Sequence, residues 1–127
     1  MRILKVRGFT RWATGEGIPD AMLMAAAQEI ARGQVEASLG GYLFKKRIAK
    51  DGGGKSGGYR MIVCFTKQGD ENLYFMHGFD KGDVGNITPK QSKALREIAR
   101  HYASLTNEQI DALVSSCKLF EIAEVSP

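Results

Sequence analysis

Ile3, Leu4 and Val6 open the chain as a short apolar strand that the pattern ends at Gly8. Phe9-Thr10-Arg11-Trp12-Ala13 fits one or two helical turns stopped by Gly15 and Gly17, with Phe9 and Trp12 as core anchors. A longer helix follows. Pro19 suits a first helical turn and Asp20 complements the helix dipole. Leu23, Ala27, Ile30 and Ala31 then recur at helical spacing up to the breaker Gly33. From Gly41 the period falls to two, with Tyr42, Phe44 and Ile48 on one face and Leu43, Lys45 and Arg47 on the other. The run Asp51-Gly-Gly-Gly-Lys-Ser-Gly-Gly58 interrupts it, and Tyr59, Met61, Val63 and Phe65 resume it, which predicts a long hairpin with a glycine-rich tip.

After a turn at Gln68-Gly69-Asp70, the stretch Leu73 to Phe79 reads as a third consecutive strand, apolar on both faces and therefore central in a meander. Thr88-Pro89-Lys90-Gln91 combines an N-cap threonine, a first-turn proline and a capping-box glutamine. Leu95, Ile98, Ala99 and Tyr102 mark the apolar face of the helix that follows. A second capping box at Thr106-Asn107-Glu108-Gln109 starts another, with Leu105 stapled against Ile110 and the face running through Leu113, Val114 and Cys117. The tail from Leu119 to Val125 is apolar enough to dock, as a short strand of unassigned position. The expected fold is α+β in one domain over residues 1–127: a small antiparallel sheet, the N-terminal strand plus a three-stranded meander, flanked by N-terminal and C-terminal helices.

Composition narrows the classes. Hydrophobic residues at 43% and charged residues at 25% exclude wholesale disorder and fibrous repeats. The longest apolar run, Ala21 to Ala27, falls far short of a membrane span, so no membrane association and a cytoplasmic location are expected. Cys64 and Cys117 are too few and too distant for a disulfide framework and read as small buried residues. With His77 and His101 they give no metal-ligand spacing, so neither a metal nor a cofactor is expected.

The net charge of +4 is unevenly spread. Between Gly41 and Arg60, Lys45, Lys46, Arg47, Lys50, Lys55 and Arg60 face the single acid Asp51, so this window carries +5 and the other 107 residues sum to −1. Such a local field suits a phosphate-bearing or acidic partner. Two glycine-rich motifs fail on context. Gly52, Gly54 and Gly57 satisfy GxGxxG, and Gly54-Lys55-Ser56 imitates the end of a phosphate loop, but both motifs need a following helix and here a strand follows.

The constellation with chemical content is the basic hairpin. Lys45 and Arg47 share a face, Arg60 lies opposite Tyr59, Met61 and Val63 on the next strand, and Lys81 follows the third strand near the same edge. Ribonuclease chemistry needs a base for the ribose 2′-hydroxyl, a charge clamp on the transition state and an acid for the leaving 5′-oxygen. Crowded cations lower the affinity of a lysine for its proton, while arginine stays charged and clamps bidentately. His77, in an otherwise apolar strand, is either a core histidine or a participant, because it titrates near neutrality.

These residues resemble a known family. Gly40-Gly41-Tyr42-Leu43-Phe44-Lys45-Lys46-Arg47-Ile48-Ala49, then Gly54-Lys55-Ser56-Gly57-Gly58-Tyr59-Arg60, then Phe75-Met76-His77-Gly78-Phe79-Asp80-Lys81 with Asn86-Ile87, are similar to the RelE-like toxins of type II toxin–antitoxin systems. The resemblance implies a ribosome-dependent, metal-independent endoribonuclease that cuts mRNA and inhibits translation. Its partners would be a cognate antitoxin and mRNA on the ribosome, with no DNA binding by this chain alone. It also implies roles for residues: Arg60 matches the phosphate-clamping arginine, Lys45, Lys46 and Arg47 match the lysine-rich strand as a group, and Lys81 matches the basic position after the last strand. Lys46, Lys50 and Lys55 would bind RNA. The chain after Lys81 runs Gly-Asp-Val-Gly-Asn-Ile into helices, with no residue for the extra catalytic group of some members, so the general acid is unassigned. The related ParE toxins share the fold and act on gyrase. A non-catalytic RNA-binding or regulatory module and a ParE-like toxin therefore stand as alternatives.

Overall fold

The computed structural model describes residues 1–49, 58–66, 72–82 and 86–122. The chain runs β1 (Arg2–Val6), α1 (Arg7–Glu16), α2 (Asp20–Ala31), β2 (Ala37–Gly40), β3 (Leu43–Ile48), β4 (Tyr59–Thr66), β5 (Asn72–Asp80), α3 (Pro89–Ala103), α4 (Asn107–Ser115) and β6 (Leu119–Glu121). The glycine-rich tip with Lys50 and Lys55, and the turn at Gln68-Gly69-Asp70, lie outside the described residues.

The strands form one six-stranded sheet in the order β2-β3-β4-β5-β1-β6. β3, β4 and β5 are antiparallel neighbours, as the meander reading expects, and β2 pairs antiparallel with β3. β1, however, runs parallel to β5, with Leu4 opposite Tyr74, so the sheet is mixed and larger than the small antiparallel one expected. Three elements account for the difference. The helices after β1 carry the chain to the far edge of the sheet, where β2 adds a strand that its short sequence, Ala-Ser-Leu-Gly, does not announce. The meander then returns until β5 meets β1 running the same way. The tail finds its place as β6, antiparallel on the free side of β1.

Both faces are covered. On one, Phe9, Ala13, Leu23, Ala27 and Ile30 of α1 and α2 pack on Ile3, Met61, Val63, Phe65, Leu73 and Phe75. On the other, Ala99 and Ile110 of α3 and α4 pack on Leu4, Leu43, Ile62, Cys64 and Tyr74. All eight residues of β4 are therefore buried, and each large aliphatic side chain so buried contributes about 1.5–3 kcal/mol.

The helix ends follow local rules. Thr88 and Thr106 both complete the capping boxes read from the sequence. α1 is longer than the expected turns because it begins at Arg7 and passes through Gly8 and Gly15. It stops at Gly17, whose φ of 71° lets its N–H reach back to Ala13 and Thr14. At Gly78 a Cβ would overlap the Trp12 ring, so the missing side chain is what lets α1 lie against β5. Cys64 is buried as expected, but Cys117 is exposed in the turn after α4. Among the described residues no helix is long and apolar enough to cross a membrane.

Candidate functional site

Cross-strand register decides which side chains share a face. Arg47 of β3 stands opposite Arg60 of β4, and Lys45 opposite Ile62. Across the next pair, Arg60 stands opposite Phe79 of β5 and Ile62 opposite His77. One face of the sheet thus carries two adjacent rows, Arg47-Arg60-Phe79 and Lys45-Ile62-His77. Lys45 and His77 lie two strands apart, about 10 Å between their backbones. Lys45 and Arg60, on which the sequence reading depended, are on the same face. Lys81 joins that end of the sheet, its backbone N–H donating to the Gly58 carbonyl at 3.2 Å.

The cations differ in access. Arg47 and Lys81 are exposed and Lys45 is half-buried, whereas Arg60 is only 4% exposed. Like charges directly opposite each other repel, and a carboxylate offsets that repulsion: Glu36 Oε2 accepts from Arg60 Nε at 3.0 Å. Lys46 is a correction. It points to the opposite face, 9% exposed, where its Nζ donates to the Gln34 carbonyl at 2.9 Å and pairs with Glu29 at 3.4 Å. It fastens α2 and the segment after it to β3 and takes no place beside Lys45 and Arg47. Tyr42 also leaves its expected strand face: it turns with φ 68° and is exposed. Lys50 and Lys55 lie outside the described residues.

His77 is half-buried, and burial holds its imidazole below its ordinary pKa, which favours the neutral ring. Its ring lies 6.0 Å from that of Phe79. Beside it, along the second half of β5, which β1 does not reach, opens a cleft of about 420 Å³ lined by Trp12, Glu16, His77, Phe79, Asp80 and Gln91 among others. That volume falls in the usual range of small-ligand sites. His101 is exposed on α3. No group of three or more His, Cys, Asp or Glu side chains placed to hold a metal ion occurs among the described residues.

Residues 1–122 match the family described as the RelE toxin of the RelE / RelB toxin–antitoxin system. The chain belongs to the RelE toxin family. A comparison with curated proteins finds no match. As a RelE toxin, the chain is the toxin half of a toxin–antitoxin pair and has an antitoxin as its partner. RelE toxins as a family are known for cutting mRNA.

Sequence reasoning did not find Glu36. It stands just before β2, a strand the pattern did not signal, and reaches Arg60 by crossing over β3. The one local sign was an acid between Gly33 and the basic hairpin.

Proposed function

We propose that this RelE toxin is a ribosome-dependent endoribonuclease that cleaves mRNA on the Lys45, Arg47, Arg60 and His77 face, with Lys81 at its rim. The observation that carries the reading is the register that sets a neutral histidine across the sheet from a row of cations. In the reaction, His77 takes the proton of a ribose 2′-hydroxyl, and that oxygen attacks the adjacent phosphorus. The P–O5′ bond breaks, leaving a 2′,3′-cyclic phosphate and a 5′-hydroxyl, and the leaving oxygen takes a proton from Lys45. Arg47 and Lys81 meet the phosphate from solvent and Arg60 adds positive charge from below. The cleft beside His77 is large enough for the nucleoside next to the scissile bond. Cytoplasmic action on translating ribosomes follows from this reading.

Controlled expression of wild type, Arg47→Ala and His77→Gln, scored for growth arrest and for mRNA cuts in phase with codons, tests it. Wild type should arrest growth and cut, and folded variants should do neither. A harmless wild type sinks the proposal. Arrest with intact mRNA would transfer the toxin to a different target, gyrase being the one the ParE relatives suggest.

A further inference from the structure

We propose that Glu36 is a positioning residue for Arg60, and through it for substrate phosphate; this rests on the nuclease face described above. Ala37 pairs with Lys45, and the Glu36 N–H donates to the same residue's carbonyl at 2.8 Å. Both contacts hold the residue just before β2 against β3. The carboxylate crosses β3 and takes Nε of Arg60 at 3.0 Å, with side-chain exposures of 31% for Glu36 and 5% for Arg60. Nη1 of the guanidinium also makes a long contact to the Tyr59 carbonyl, at 3.5 Å.

Held at Nε by Glu36, the guanidinium plane is fixed, and from its place beneath the face, 4% exposed, Arg60 acts on a phosphate through its charge rather than by direct contact. The carboxylate also offsets the repulsion between Arg60 and Arg47, directly opposite. Its negative charge meanwhile stands close to where an RNA phosphate would bind, and so opposes ground-state binding. Removing Glu36 should thus tighten RNA binding and slow cleavage, a pair of opposite effects that lost folding stability does not produce.

The test is a double-mutant cycle of Glu36→Gln and Arg60→Ala with three readouts: melting temperature, affinity for a short single-stranded RNA, and cleavage of mRNA on programmed ribosomes. Glu36→Gln should bind RNA more tightly while its maximal cleavage rate falls about tenfold, the scale of one charge-assisted hydrogen bond. In the Arg60→Ala background the same change should alter neither quantity by more than about twofold. Glu36→Ala, which lacks even the amide acceptor, should cleave more slowly than Glu36→Gln. Folded Glu36→Gln protein with wild-type kinetics, or effects that add to those of Arg60→Ala, would overturn the proposal. If wild type binds RNA without cutting it, the nuclease reading falls and the affinity cycle decides: coupling of Glu36 to Arg60 upholds the positioning role, and additivity ends it.

Discussion

Lys45 and Lys46 are adjacent in sequence and opposite in consequence. Truncating Lys46 to alanine removes a charge-assisted hydrogen bond to the Gln34 carbonyl and the ion pair to Glu29. Such a bond contributes roughly 1.5–3 kcal/mol, and the lower end applies because the Glu29 side chain is 44% exposed and returns readily to water. The buried stem adds about 0.8 kcal/mol for each methylene withdrawn from the core. With three methylenes lost the total is about 4 kcal/mol, which for a domain of this size lowers the melting temperature by roughly 15 °C. Lys45→Ala should stay within about 0.5 kcal/mol of wild type but lose one phosphate contact, making the slope of log affinity against log salt shallower by about 0.7 for single-stranded RNA. Thermal melts and fluorescence anisotropy across a salt series, with all proteins well below their transitions, separate the two. The reasoning is refuted if Lys46→Ala changes the salt slope and spares the melting temperature, or if Lys45→Ala does the converse.

Gly78→Ala should cost about 1–3 kcal/mol by overpacking against Trp12 and shift the indole emission as α1 moves away from β5; an unchanged spectrum and stability would contradict the close approach. His77 binds its proton less readily folded than unfolded, so between its lowered folded pKa and about 6.5 the unfolded state holds more protons. Stability should therefore fall as pH drops through that window, and His77→Gln should lose less over the same range in urea titrations; equal acid losses would count against it. Burial pushes the Cys64 thiol up to about 12, so an alkylating reagent at neutral pH should label exposed Cys117 and reach Cys64 only in denaturant, as peptide mass spectrometry would report. Tyr74→Phe removes a buried hydroxyl that has no hydrogen-bond partner among the described residues and should leave stability equal or higher; a loss above about 1 kcal/mol would reveal an unseen acceptor.

What the sequence revealed depended on whether a feature is local. The capping boxes at Thr88 and Thr106 join groups three residues apart, and both formed as read. Alternation in β3 correctly set Lys45 and Arg47 on one face, because a strand's two sides are fixed by its own backbone. Register is different. β4 is apolar on both faces, so its own pattern cannot say which β3 residue Arg60 will meet, and a one-residue slip would send Arg60 to the far side. The direction of β1 is likewise set by β5, nearly seventy positions away, as the pairing of Leu4 with Tyr74 records. Lys46 reads as basic strand surface until Glu29 of α2 and the Gln34 carbonyl are known to lie over it.

The concentration of +5 in twenty residues is the sequence feature that most strongly suggested a polyanion site, and the fold divides it. Of its six cations, Lys46 is paired with Glu29 beneath one face and Arg60 with Glu36 beneath the other, while Lys50 and Lys55 lie outside the described residues. At the sheet surface Arg47 is exposed and Lys45 half-buried, with exposed Lys81 added from beyond the window. Pairing is what permits cations so close together on adjoining strands at all, since Arg47 and Arg60 face each other directly. The acids responsible come from α2 and from the residue before β2, both earlier in the chain than the hairpin they neutralise. Charge counted along the sequence thus overstates how many cations can meet RNA. It also hides the carboxylate that makes the cluster stable and, on the reading developed above, aims its arginine.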